Sequence, residues 1–328
     1  MEISRRSSPP MAGPHDALFK YAFSDAEEAA TLLRGVLPSS LGKTVDWTTL
    51  RMVPGTYVDE ELSSRYSDIL YEAKSGARSV LFYLLVEHQS TVVWFMAFRM
   101  LRYLTRIWDR WLKAHPKARR LPQVVPVVVY AGEGPWDAPT ELEGLIEGDS
   151  VAWSPRMRFL LDDLTQLSEP ELARRNLSVF AELAVRALTR LRSTDAPLDE
   201  LRSWLPLLER LLRAKNGLHR FRALIEYLTL VANFEPDSLQ PIVKQLGPAA
   251  EETAMTAAER LRQEGREQGL EQGARSARVE MFLIPLRMRF GDATPPEVLA
   301  RVEAATKAEL ETWMGRIFAA QTLSEVFE

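Results

Sequence analysis

Three side chains in the first third of the chain have the types and spacing for phosphoryl chemistry: Asp68, Glu87 and Gln89. They bracket the stretch DILYEAKSGARSVLFYLLVEHQS, which reads as two apolar strands, Asp68 to Lys74 and Ser79 to Gln89, joined through Ser75-Gly76-Ala77-Arg78. A hairpin turn centred between Ala77 and Arg78 sets Asp68 directly opposite Glu87, and facing residues in such a pair hold their Cβ atoms about 4.5–5.5 Å apart. Gln89 lies two positions beyond Glu87 and shares its side of the sheet, whereas His88 points the other way. Two carboxylates that close repel unless a cation lies between them or one is protonated. A hard divalent ion answers the problem, because Mg2+ takes one or two carboxylates together with water and phosphate oxygens. Bound there, such an ion activates water and polarises phosphorus. Mn2+ or Ca2+ could take the same donors. The plainer alternative is that Asp68 caps a strand while Glu87 and Gln89 mark where the chain leaves the core.

The elements that must position these groups follow from periodicity. Residues 16–36 repeat apolar side chains at helical spacing, from Leu18 and Phe19 to Leu32 and Leu33. Trp47 to Val58 is rich in β-branched and aromatic residues and reads as a strand. A long helix is expected from Val92 to Ala114, then a buried strand, QVVPVVVYAG, in which Pro126 suggests an edge or a bulge. The order defines a compact α/β unit over 14–150, preceded by a disordered leader, 1–13. Beyond it, 151–249 is helical in period with strand signals nearly absent. Residues 250–279 form a charged helical linker in which Gly265, Gly269 and Gly273 each cost about 1 kcal/mol of helix stability. A small helical module, 280–328, closes the chain. These helical C-terminal regions offer surfaces for self-association.

On the helix after Gln89, advancing about 100° per residue from Phe98 places Arg99, Arg102, Arg106, Arg110, Lys113 and Lys117 in one narrow stripe, if the helix extends that far. A basic ridge beside an acidic site suits a nucleic-acid backbone, since phosphate contacts from Arg and Lys supply affinity without reading sequence. Its alternative is a solvated helix face. Lys20, beside Phe19 and Phe23 on the first helix, is a further candidate contact. Glu27 or Glu28 could assist a metal, although both read more simply as surface residues. Glu72 and Lys74 share the parity of Asp68 but stay outside the ligand set.

Composition narrows the classes. The chain has 328 residues, no cysteine and four histidines, which excludes disulfides and thiolate sites and disfavours structural zinc. A net charge of −4 gives no blanket attraction to polyanions, so positive charge must be concentrated locally. No apolar run approaches the ~20 residues of a membrane span, and the N-terminus lacks the apolar core of a signal peptide. A cytoplasmic setting fits. The segment LPSSLGKT ends like a phosphate-binding loop but lacks its first glycine and its preceding strand.

Asp68 followed by Glu87-x-Gln89 resembles the active-site pattern of PD-(D/E)XK nucleases, with glutamine in the lysine place. The ordered words HDALFKYAF, DILYEAK, YLLVEHQS, MAFRMLRYLTRIWDRW and LPQVVPVVVYAGEGPW resemble the Rpn family of recombination-promoting nucleases and transposase-like proteins over about 14–150. The tail from about 280 resembles an uncharacterised helical module that follows this domain in bacterial relatives. The resemblance implies an α/β, restriction-endonuclease-like core, a mixed sheet flanked by helices, followed by all-α regions. It implies a metal-dependent DNA endonuclease in which Asp68 and Glu87 hold the metal and Gln89 replaces the lysine. Glutamine orients a water or phosphate oxygen but has neither charge nor usable basicity. That departure keeps a rival open: a nuclease-derived factor that binds nucleic acid or protein without turnover. RNA as substrate also stays open, because nothing in these residues reads a 2′-hydroxyl.

Overall fold

The computed structural model describes residues 13–53, 69–76, 78–87, 92–148, 153–231, 236–291 and 295–327. The helical stretch expected over 16–36 is two helices, α1 (Pro14–Phe23) and α2 (Ala26–Val36). Asp25 explains the break. Its side chain accepts a hydrogen bond from the Glu27 backbone N–H at 2.9 Å, and the N-cap so formed starts a new helix. A short helix, α3 (Ser39–Gly42), leads into the sheet.

Five strands follow, β1 (Asp46–Met52), β2 (Ile69–Ser75), β3 (Arg78–Glu87), β4 (Gln123–Tyr130) and β5 (Leu160–Asp163), paired in that order. The first three are antiparallel, and β3, β4 and β5 run parallel. The strand expected to reach Val58 ends at Met52; its last five expected positions, 54–58, lie outside the described residues. In the β2–β3 hairpin Ile69 faces Leu84 and Ser75 faces Arg78. The turn is therefore a two-residue loop beginning at Gly76, whose φ of 60° suits glycine. It is centred one residue earlier than expected, which moves every facing pair by two positions. That corrects the turn position within the described strands and leaves alternation along each strand unchanged, because a shift of two preserves the face; the expected opposition of Asp68 and Glu87 involves a residue outside the described ones.

Pro126 is on neither an edge strand nor a bulge: β4 lies between β3 and β5. But β5 pairs only with Val127–Tyr130, so at Pro126 the strand has a neighbour on one flank alone, where a residue without an N–H is tolerated. β5 itself falls in the stretch whose period reads as helical. It has four residues, too few for alternation to register.

Helix α4 (Met96–Ala114) joins β3 to β4 and starts four residues later than Val92. Its buried side, Met96, Ala97, Met100, Tyr103 and Ile107, packs with Leu70, Leu81, Tyr83 and Val128 on one face of the sheet. The other face, including Ile69, Tyr71, Ala73, Phe82 and Val127, packs with α1, α2, α6 (Val179–Ser193), α8 (Leu205–Arg213) and α9 (Gly217–Val231) in one core. The intervening helices are α5 (Glu169–Arg174) and α7 (Pro197–Ser203), and α10 (Pro236–Gln245) follows. Two buried acids tie this side together. Asp162 of β5 accepts both arms of Arg175 at 2.7 and 2.6 Å, and Glu28 accepts from Arg220 at 2.8 Å and from the Ser178 hydroxyl.

The chain forms two compact units, Met1–Ala258 and Glu259–Glu328. The charged, glycine-spaced segment is helical, within α11 (Pro248–Phe290). The second unit has its own core, in which Phe282 of α11 meets Val302 of α12 (Pro296–Ala304), Trp313 and Ile317 of α13 (Lys307–Ile317), and Val326 of α14 (Leu323–Val326). Arg301 stands 5.3 Å from the ring centre of Trp313 and 5.1 Å from that of Phe327.

Candidate active site at the strand ends

Asp68 and Gln89 lie outside the described residues, and of Glu87 the backbone alone is described. The strand ends next to them in sequence are described. Position 87 is the last of β3 and pairs with Tyr130, the last of β4, which pairs with Asp163, the last of β5. Three parallel strands therefore end in one row. Ligand sites of parallel sheets form beyond the carboxyl ends of their strands.

Alternate residues of a strand share a face, and Leu81 and Tyr83 of β3 lie on the α4 side. Since β3 and β4 are parallel, α4 runs back along them and its N-terminus sits at the row of strand ends. The Tyr103 ring meets the Tyr83 ring with centroids 5.2 Å apart. Arg99 is one turn earlier, about 6 Å along the helix, which corresponds to about two strand residues beyond Tyr83. That brings Arg99 level with position 85, two residues before the end of β3. Its Nε donates to the Tyr103 hydroxyl at 3.2 Å and its guanidinium stands 5.8 Å from that ring, so the half-buried side chain is held in place. Arg102 is exposed and Arg106 half-buried on the same ridge. Lys117 is a correction: it lies beyond the helix end at Ala114 and does not continue the stripe.

Tyr130 and Asp163 were not singled out by the sequence. Asp163 is committed to structure: its carboxylate accepts from the Trp136 N–H at 2.9 Å, the Thr165 N–H at 3.0 Å and the Thr165 hydroxyl at 2.6 Å. Trp136 in turn lies edge-on to Tyr130, centroids 5.2 Å apart. At Gly132 a Cβ would come within 2.2 Å of the Tyr130 hydroxyl oxygen, so this close approach requires glycine. The signal was present in YAGEGPW, where two glycines and a tryptophan crowd the end of β4.

The remaining candidates are elsewhere. Lys20 is exposed on α1, which packs on the face opposite α4, so it is not brought together with Arg99 and Arg102. Glu27 is exposed; Glu28 is buried, not a surface residue, and its ion pair with Arg220 lies on the α1 side. Glu72 pairs with Arg51 of β1 at 2.5 Å. Among the described residues no cluster of three or more His, Asp or Glu could hold a metal. The donor set of Asp68, Glu87 and Gln89 is all oxygen, which fits a hard cation such as Mg2+.

A mixed sheet with parallel strand ends on one line, an acid closing the central strand and a basic helix beginning beside it defines the chain as an α/β protein with a strand-end site. Residues 13–215 match the family described as "Putative transposase, YhgA-like", and the chain belongs to that family. It is 29% identical to the inactive recombination-promoting nuclease-like protein RpnE of Escherichia coli K12, over 85% of this chain and 91% of the relative. It is also 29% identical to the recombination-promoting nuclease RpnA of the same strain, over 77% and 84%, and 30% identical to RpnD of Escherichia coli O157:H7, over 57% and 72%. No solved structure matches the chain. No helix among the described residues is long and apolar enough to cross a membrane.

Proposed function

We propose that the chain is a Mg2+-dependent endonuclease of the PD-(D/E)XK type that hydrolyses DNA phosphodiester bonds in the cytoplasm and thereby promotes recombination. Asp68 and Glu87 would hold the ion, with Mn2+ or Ca2+ as substitutes. Bound there, the ion supplies an activated water and charge stabilisation at phosphorus. The rest falls to the chain. Gln89 orients a water or a phosphate oxygen through its amide, and it cannot take the proton, which leaves to solvent or to the phosphate. Arg99 and Arg102 contact the backbone on either side of the scissile bond. The single observation that supports this reading is the position of residue 87 at the end of a central parallel strand, level with the start of the arginine-bearing helix. The family name and the nuclease names of relatives agree with it.

A second reading has its own support. RpnE, similar over most of both chains, is named inactive, and Gln89 lacks the charge of lysine. In that case the protein binds nucleic acid without cutting it. Nicking of supercoiled plasmid by the full-length protein with Mg2+, Mn2+ or Ca2+, beside Asp68→Ala and Glu87→Ala, decides between them. Cleavage lost in both variants with DNA binding retained is the expected result. Binding without cleavage in any metal selects the second reading, and equal cleavage by all three proteins overturns the site. RNA of the same sequence tests the sugar preference.

A further inference from the structure

The α4 face of the sheet carries a second basic feature, far from the strand ends. A cleft of about 640 Å3 opens at the hairpin end, lined by Arg51 and Glu72 on β1 and β2, Arg78 at the start of β3, Trp111 of α4, and His115 and Arg120 just beyond it. Its positive charge exceeds its negative charge, since Glu72 is the one acid facing three arginines and is paired with Arg51. Neither Arg78 nor Arg120 has an ion-pair partner among the described residues, and both are exposed. The Trp111 and His115 rings stack, with centroids 4.3 Å apart and 18° between planes, which presents a flat aromatic surface beside the arginines.

The cleft and the ridge belong to different sides of α4. Trp108 donates its indole N–H to the Pro122 carbonyl at 3.0 Å, so that flank of the helix faces the start of β4. Arg99, Arg106 and Arg110 lie across the helix from Trp108, whereas Trp111, which lines the cleft, lies about 60° from Trp108 on its own flank. The ridge and the cleft are two separate basic features, one beginning near the strand ends and one at the hairpin. Along β3 the distance from Glu87 back to Arg78 is about 30 Å, which is about nine base steps of duplex at 3.4 Å each.

We propose that this hairpin-end cleft is a distal nucleic-acid subsite: Arg78 and Arg120 hold backbone phosphates about nine steps from the strand-end site, and the Trp111–His115 pair lies against the strand. The inference rests on the reading of the strand ends as a nucleic-acid site, but not on hydrolysis. The occupant is a phosphodiester backbone and not an acidic peptide because charge and a stackable aromatic surface coincide there.

The test is fluorescence anisotropy with the full-length protein in Ca2+, using labelled duplexes from below to well above that length. Wild type gains affinity in a step once the duplex exceeds about nine base pairs, and Arg78→Ala/Arg120→Ala loses the step, binding long duplexes about tenfold more weakly with a salt slope reduced by about two. Both side chains are exposed, and equal thermal melting of variant and wild type checks that the fold is intact. An unchanged step and slope in the variant overturns the subsite, as does loss of polyglutamate binding, in place of DNA binding, in the same variant. Plasmid nicking separates the two conclusions. A wild type that nicks, with no effect of the variant on binding, sinks the subsite alone; a wild type that never nicks yet shows the step sinks hydrolysis alone.

Discussion

Asp162 and Arg175 offer the sharpest stability test. The Asp162 side chain is 1% exposed and that of Arg175 14%, and the two are joined by a fork of two short hydrogen bonds. Asp162→Ala leaves the guanidinium facing the core with no carboxylate, and breaking a buried pair from one side costs about 3–5 kcal/mol. The low end is expected here, because Arg175 retains some access to water. For a cooperative unit of this size each kcal/mol moves Tm by about 2 °C, so the melt should fall by about 6 °C or more. Arg175→Ala should cost a similar amount, and the double variant little more than either single one, since each has already removed the interaction. Replacing both with apolar residues, Asp162→Leu with Arg175→Met, should recover much of the loss, because burying the pair carries its own desolvation cost. Circular dichroism melts of the four proteins read the cycle. Fully additive single effects, or single losses under about 1 kcal/mol, would show that β5 is not anchored to the start of the helical layer through this pair.

Gly265, Gly269 and Gly273 have nothing within 4 Å of an added Cβ, so Gly→Ala at all three should strengthen α11 by about 1 kcal/mol each, read as a higher melting temperature and greater helicity. The Tyr71 hydroxyl donates to the Phe23 carbonyl, and burial pushes its pKa up so that it remains a donor; Tyr71→Phe strands that carbonyl and should cost about 1–2 kcal/mol in urea unfolding. Glu169 is held below its ordinary pKa by the hydrogen bond from Arg186 and the charges of Arg186 and Arg190. Its contribution is complete above the ordinary carboxylate range and is lost as pH falls through the lowered value, so the small stability gap between wild type and Glu169→Gln should hold at neutral pH and close on acidification. A gap that widens in acid would reverse the assigned sign.

Much of the sheet was legible because alternation is a strong signal over long strands. DILYEAK and RSVLFYLLVE carried β2 and β3, and their shared face survived a turn misplaced by one residue. What failed was local or long-range. The split between α1 and α2 depends on one aspartate capturing a backbone N–H, which a helical period passes over. β5 is short and acquires its identity only by pairing with β4. Glu28 reads as a surface acid until Arg220, almost two hundred residues later, arrives beside it. At the candidate site the acids were visible in the sequence, whereas the supporting Tyr130, Gly132 and Asp163 emerged only when three strand ends were aligned.

The half-covered flank of β4 bears on how the protein behaves when crowded. Where β5 stops short, Gln123–Pro126 of β4 have no strand neighbour on that flank, and unpaired flanks are where another chain can add. Of the four only Gln123 is exposed, and Val125 and Pro126 are buried, so packing closes most of the gap to a visitor. Pro126, lacking an N–H, also leaves no unpaired donor at its position in that buried stretch.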